Sequence, residues 1–180
     1  MITITIYPLK GIDIDGVGTI HLGQSRSEVE ATLDEPKSDY SDEKRSAYLN
    51  YECKIDYDDA DAVTFIDFFA GPFPERIRLQ LYGIDPFQIG ADNLVALLKE
   101  KNDGPVDGGD GGFSYSFLNI SVGIWRDARE EDVQEWVEEK KADGEYEIDR
   151  QWIEEELAKS KNYWTIGIGV PGYYTEPEEL

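Results

Sequence analysis

The chain has 180 residues, 40% of them apolar, with 39 acidic and 17 basic side chains and a formal net charge of −22. A chain of this length can bury the core of one domain but hardly of two, so we expect one globular unit. The negative charge argues against nucleic acid or an anionic membrane as a partner, because phosphate recognition needs Lys and Arg. We expect a cationic partner instead.

The hydropathy of the chain and its content of cysteine and histidine exclude further classes of protein. No apolar run approaches the ~20 residues that span a bilayer, and the first segment, MITITIYPLK, lacks the basic and apolar regions of a secretory signal. The one cysteine, Cys53, has no second thiol for a disulfide, and the one histidine, His21, leaves too few ligands for zinc. These features predict a cytoplasmic protein without a metal or other cofactor.

The acid is concentrated at the two ends of the chain. Residues 1–70 hold 15 acids and 6 bases, residues 71–126 hold 7 and 5, and residues 127–180 hold 17 and 6. Adaptation to high salt would spread acid over all exposed faces and spare lysine, yet Lys (10) outnumbers Arg (7). The distribution favours specialised acidic surfaces, with salt adaptation as the alternative.

The first elements read as a strand and a short helix followed by more strands. In GTIHLGQSRSEVEATLDEP (18–36), Ser25 or Ser27 can cap a helix on which Val29 and Leu33 share one face, and Pro36 ends it. The segments AYLNYECKIDY (47–57), AVTFIDFF (62–69) and RIRLQLYG (76–83) alternate with the period of two that is typical of strands. We expect an antiparallel meander, its last two strands joined by the turn AGPFPE.

The same order of elements occurs a second time. YGIDPFQIGADNLVALLKEKNDGP (82–105) again leads into a helix, with Leu94, Leu97 and Leu98 at helical spacing, and SFLNISVGIWR (116–126) aligns with residues 47–57. The matching third strand is delayed to YWTIGIGVPGYY (163–174). We therefore predict an α+β fold of two tandem helix-plus-antiparallel-sheet modules, residues 1–83 and 84–180.

An acidic insert at about residues 127–161 separates the strands of the second module. Its sequence predicts two helices, the first ending at Asp143-Gly144 and the second capped by Asp149. Each helix has an apolar stripe that needs a packing partner. The two stripes are Val133, Trp136 and Val137, and Trp152, Ile153 and Leu157.

These modules resemble the repeats of the beta-lactamase inhibitory protein and of small outer-membrane assembly lipoproteins. The phrases GFSYSFLNISVGIWR and YWTIGIGVPGYY also resemble an uncharacterised family of bacterial cytoplasmic proteins associated with immunity proteins of polymorphic toxin systems. The resemblance extends from about Gly18 to Tyr174. It departs at Glu35, where a Gly is expected, and in the heavier acidic insert. The shared motifs are signatures of fold, so the resemblance implies architecture more than activity.

No segment predicts a catalytic site. His21 and Cys53 align with Pro86 and Val122 of the second copy, so a surface histidine and a buried thiol are the expected roles. The loop NDGPVDGGDGGF (102–113) lacks the ligand spacing of an EF-hand. With 39 acids, some carboxylate pair will lie at a catalytic separation by chance. We therefore expect a protein that is not an enzyme.

The resulting hypothesis is an immunity protein that binds and neutralises a cognate basic toxin, such as a nuclease domain, through acidic surfaces. Acidic complementarity would speed association and aromatic side chains would anchor the complex. The alternative is a structural or regulatory adaptor, or a small hydrolase of unknown type, in which the acid keeps the protein soluble. The first candidate surface comprises Asp56, Tyr57, Asp58, Asp59 and Asp61. The second comprises Glu130, Glu131, Asp132, Glu135, Glu138 and Glu139.

Overall fold

The computed structural model describes residues 1–69, 71, 73–108 and 110–175. Those ranges contain four α-helices and eleven strands in two sheets, which confirms the α+β class. The helices are α1 (Arg26–Leu33), α2 (Ala91–Asn102), α3 (Glu130–Ala142) and α4 (Arg150–Ser160). The strands are β1 (Ile2–Tyr7), β2 (Gly11–Ile14), β3 (Gly18–His21), β4 (Arg45–Tyr48), β5 (Cys53–Tyr57), β6 (Val63–Phe68), β7 (Ile77–Leu81), β8 (Val106–Asp107), β9 (Ser114–Phe117), β10 (Val122–Trp125) and β11 (Thr165–Gly169).

A four-stranded sheet in the order β3-β2-β1-β7 corrects the predicted meander. Strand β7 does not follow β6 in an antiparallel pair but lies parallel to β1, with Ile4 beside Leu79 and Ile6 beside Leu81. The alternating isoleucines of β1 need an apolar neighbour, which β7 provides. The two strands are far apart in the sequence, since the paired residues Ile2 and Ile77 are 75 positions apart. Residues 70 and 72 of the predicted turn lie outside the described ranges, as do residues 176–180.

A seven-stranded antiparallel sheet follows the order β4-β5-β6-β11-β10-β9-β8. Its centre is the pair β6–β11, in which Asp67 lies opposite Gly167. On either side of that position, Phe68 pairs with Ile166 and Ile66 pairs with Ile168. The last strand of the chain therefore lies in the middle of the sheet.

The hairpins β4–β5 and β9–β10 have matching geometry. Tyr48 pairs with Cys53 in the first hairpin, and Phe117 pairs with Val122 in the second. In each, the residue before the second strand adopts a left-handed backbone, Glu52 at φ 46° and Ser121 at φ 48°. The segments Leu49-Asn50 and Leu118-Asn119 thus lie in equivalent turns.

One main core lies between the two sheets and under helices α1 and α2. It contains the inward side chains of both sheets together with the predicted stripes of the two helices, such as Val29 and Leu33 on α1 and Leu94 and Leu98 on α2. Helix α1 begins at the predicted cap, Ser25, whose backbone N–H donates to Glu28 at 3.1 Å. Cys53 is 1% exposed within this core.

Helices α3 and α4 confirm the two helices predicted for the insert and form a hairpin with a small core of its own. Val133, Val137 and Ile153 are its buried residues. Trp152 does not join that stripe as predicted: it is 53% exposed and meets the ring of Trp136 edge-on, with centroids 4.9 Å apart. Within the described ranges, no helix combines the length and apolar character that a bilayer crossing requires.

Candidate functional site

The first predicted acidic surface, residues 56–61, begins on β5. Asp56 receives two hydrogen bonds from the Arg45 guanidinium, at 2.5 and 2.6 Å. Tyr57 is 3% exposed, with the guanidinium carbon of Arg26 4.0 Å from its ring centroid. Tyr57 therefore lies in the core and not on the predicted surface.

The three remaining acids of this surface hold the turn between β5 and β6. Asp58 accepts the backbone N–H groups of Ala60 and Ala62, both at 2.9 Å. Asp59 pairs with Lys44, which lowers the pKa of Asp59. Asp61 accepts from Arg26 at 2.9 Å. Local folding thus accounts for every acid of this segment.

The second predicted surface, on α3, is different because only some of its acids have internal partners. Arg129 binds Asp132 at 2.6 and 2.7 Å and Glu131 at 3.1 Å, and its hydrogen bond lowers the pKa of Asp132. Glu130, the first residue of the helix, accepts from Gln134, and further along Glu138 pairs with Lys141 at 2.8 Å. Across the described part of the chain, Glu135 and Glu139 have no ion-pair partner and are exposed.

An aromatic groove lies beside these carboxylates. It has a volume of about 220 Å³ and runs between α3 and α4. Trp136, Trp152 and Val133 line it, together with two carboxylates that have internal partners, Asp132 with Arg129 and Glu156 with Lys159. Such an arrangement can receive a basic side chain between aromatic rings and carboxylates.

A second pocket, not predicted from the sequence, lies on the open face of the seven-stranded sheet. Glycines create the space: a Cβ at Gly123 would lie 2.2 Å from the Tyr174 hydroxyl, and one at Gly167 would lie 2.1 Å from the Phe65 ring. Tyr173 stacks on Phe65 at 4.5 Å, so the segment after β11 folds back across the central strands. The phrase TIGIG thus places isoleucines in the core and glycines under aromatic rings.

The central charged group of this pocket is Asp67. The cavity measures about 250 Å³, and Trp125 and Tyr174 also line it, together with the polar residues Ser114, Ser116 and Thr165. Burial raises the pKa of Asp67 to about 7, while Lys54 and Arg45 lower it and Asp56 raises it. A carboxyl group in this state can pair with a cation or exchange a proton near neutral pH.

The histidine and the cysteine differ in burial, since His21 is exposed and Cys53 is buried. His21 is exposed at the end of β3, where its backbone N–H donates to Gln24 at 2.8 Å. Burial raises the pKa of the Cys53 thiol, which disfavours the thiolate needed for nucleophilic chemistry. Within the part of the chain that the structure describes, no group of His, Cys, Asp or Glu side chains is arranged to hold a metal ion.

Comparisons with known proteins give no further assignment, since no family model, no curated protein and no solved structure matches this chain.

Proposed function

We propose that this chain is a non-catalytic, immunity-type protein that binds and neutralises a cognate basic protein toxin in the cytoplasm. The acidic arm, defined as residues 127–161 with helices α3 and α4, is the main contact surface. One observation carries the proposal: helix α3, which lines the groove beside the half-exposed Trp152, also carries Glu135 and Glu139, exposed carboxylates without ion-pair partners in the described chain.

The arm combines the two properties that a tight protein contact needs. Residues 127–161 contain 14 acids and 6 bases, so their field attracts a basic surface and speeds the first encounter. Trp152 is 53% exposed and Ile148 is 80% exposed. Burying such side chains in a complex provides the contacts that slow dissociation.

The surface at residues 56–61 has a smaller part in this proposal. Its acids already bind Arg45, Lys44, Arg26 and backbone N–H groups. A toxin would have to displace these internal partners before it gained new ones. The segment therefore serves mainly to hold the β5–β6 turn.

We also propose that residues 18–83 and 84–174 derive from two copies of one module. The matching left-handed turns at Glu52 and Ser121 support this. The central strands β6 and β11 also support it, because an apolar pair lies on each side of the pair Asp67–Gly167. Strand β7 pairs with β1 in the other sheet, so it is not part of the repeated unit. The repeated unit is therefore a helix followed by three strands. This arrangement agrees with the resemblance to repeat-built inhibitory proteins.

Charge reversal on the arm tests the main proposal. Glu135, Glu139 and Glu155 are exposed, and none of them takes part in the Arg129 ion pairs at the start of α3, so changing all three to Lys leaves those ion pairs in place. A matched control changes Asp15, Asp39 and Glu75, three exposed acids outside the arm, to Lys. Both variants alter net charge equally.

The measurement is the association rate with the product of the adjacent toxin gene at low and high salt. We expect the arm variant to associate roughly 10-fold more slowly or worse at low salt, and the control variant to change much less. The difference should shrink at about 1 M salt, where the Debye length is ~3 Å. Equal rates for the two variants would remove the arm from the interface. Absence of binding by the unmodified chain would remove the immunity function.

A further inference from the structure

The pocket on the open face of the seven-stranded sheet contains a carboxylate that the fold leaves unused. Asp67 is half-buried at the centre of the sheet, opposite Gly167. Among the residues that the structure describes, none forms an ion pair within 4.0 Å of its carboxylate or donates a hydrogen bond to it. Even partial burial of an unpaired charge is unfavourable, so a cation that reached this carboxylate would gain a favourable contact.

The nearest basic side chains are engaged elsewhere. Lys54 is the cross-strand neighbour of Asp67, yet its Nζ lies 4.7 Å from the centroid of the Phe69 ring. The guanidinium of Arg45 is held by two hydrogen bonds to Asp56. Both side chains contribute a favourable field at Asp67 without occupying the pocket beside it.

The walls of the pocket suit the apolar part of a small ligand. Trp125 is 44% exposed beside the cavity, and Phe65 and Tyr174 close its other sides. Aromatic faces attract organic cations through their negative quadrupole and also contact alkyl chains. Ser114 and Thr165 at the rim can accept additional N–H groups.

We propose that this pocket binds a small organic cation, an alkylammonium or alkylguanidinium group, whose N–H donors pair with Asp67 and whose carbon atoms contact Trp125 and Tyr174. An anion is disfavoured because, among the described residues that line the pocket, Asp67 is the one charged side chain. An inorganic metal ion is disfavoured because one carboxylate supplies too few ligands. The site is separate from the acidic arm and does not depend on the proposed toxin.

Binding should depend on pH in a way that follows from the groups around Asp67. Burial raises the pKa of Asp67 to about 7, and Lys54, Arg45 and Asp56 are the charged side chains that modify it. Tyr174 faces the same cavity and stays neutral, because burial raises its pKa. The carboxylate form needed for pairing therefore increases from pH 6 to pH 8, and affinity should increase with it.

The test titrates the full chain with butylammonium and butylguanidinium, observed by the NMR signal of the Trp125 indole. A dissociation constant on the order of 1 mM is expected for so small a ligand. Neutral 1-butanol and anionic butyrate are controls and should bind at least 10-fold more weakly. Asp67→Asn should abolish the cation response while leaving the protein folded, and Asp85→Asn, a half-buried acid outside the pocket, should leave it unchanged.

Two probes distinguish a free amine from a protein side chain as the source of the cation. Tighter binding of butylammonium than of capped Gly-Lys-Gly assigns the pocket to a free amine, and equal or tighter binding of the peptide assigns it to a lysine side chain. The proposal is overturned if neither probe binds at about 10 mM, or if Asp67→Asn binds as well as the unmodified chain. Neither result affects the test of the acidic arm.

Discussion

The β5–β6 turn and helix α3 are both dense in acid, yet the fold uses their carboxylates in opposite ways. In the turn, Asp58 satisfies two backbone N–H groups and Asp61 holds Arg26. On the helix, Glu135 and Glu139 point to solvent without an ion-pair partner in the described ranges. The same residue type thus maintains a turn in one region and remains available for an outside partner in the other.

The difference arises from backbone geometry. A turn leaves N–H groups unpaired and brings distant strands together, so short acidic side chains find donors close by. A helix pairs its own N–H groups after the first turn, and acids beyond that point meet only neighbouring side chains. Acids in turns should therefore contribute mainly to stability, and acids in the middle of α3 mainly to association.

Asp67 represents a third case, a half-buried carboxyl without a direct partner among the described residues, and we expect it to give the largest effect. Its folded pKa of about 7 lies above the ordinary 3.8, so ionisation lowers stability as pH rises from about 4 to about 7. Asp67→Asn removes this penalty. The variant should gain up to about 4 kcal/mol of unfolding free energy at pH 8 and much less at pH 5, measured by urea denaturation. A gain independent of pH would contradict the explanation.

Arg26→Met should give the next largest effect, a loss of about 3 kcal/mol in unfolding free energy. Arg26 donates to Asp61, Ser46 and the Glu43 carbonyl, and its guanidinium covers Tyr57. Arg150→Met on α4 is the matched control, since Arg150 forms its ion pairs with two exposed glutamates of its own segment, Glu147 and Glu154. Thermal unfolding of the control should be unchanged. Equal losses of unfolding free energy in both variants would mean that the contacts of Arg26 stabilise the protein no more than those of Arg150 in the arm.

Asp58→Ala should cost about 1–2 kcal/mol, because the backbone N–H groups of Ala60 and Ala62 lose their acceptor. Asp58→Asn keeps a side-chain oxygen at the same place and should recover most of the loss. Denaturant midpoints of the two variants make the comparison. If Asn is as destabilising as Ala, the charge and not the hydrogen bonding of Asp58 holds the turn.

Replacing Glu135 and Glu139 with Gln should have the smallest effect on folding, within about 0.5 kcal/mol. Any change should be a slight gain at low salt, since repulsion between exposed acids on one helix face decreases. Circular dichroism during thermal unfolding at two salt concentrations measures it. A clear loss of stability would show that these glutamates have a structural role, and would weaken their assignment to the interface.

Features with local causes could be predicted from the sequence. The cap at Ser25, the buried stripes of α1 and α2 and the boundaries of the insert helices follow from residue spacing over one or two turns. The turn at Leu118-Asn119 could be aligned with that at Leu49-Asn50 because each hairpin is built from adjacent residues.

Features that join distant segments could not be predicted in this way. The parallel pairing of β1 with β7 depends on which sheet edge is free, and no short pattern encodes that. Tyr57 is different, because its place in the core follows from the alternation of β5, in which Cys53, Ile55 and Tyr57 all face inward. The pocket around Asp67 needs β6, β10, β11 and the returning Tyr174 together. In the sequence, the pocket is indicated by the alternation of Gly and Ile in TIGIG, residues 165–169.

The central position of β11 has a consequence for how the chain folds during synthesis. Strands β6 and β10 each have a hydrogen-bonding edge that only β11 covers, and β11 ends at Gly169. Until that strand leaves the ribosome, the nascent chain therefore carries two unpaired strand edges next to apolar side chains, which is a form prone to aggregation. The acidic arm is synthesised immediately before β11, and its negative charge would keep neighbouring nascent chains apart during that interval.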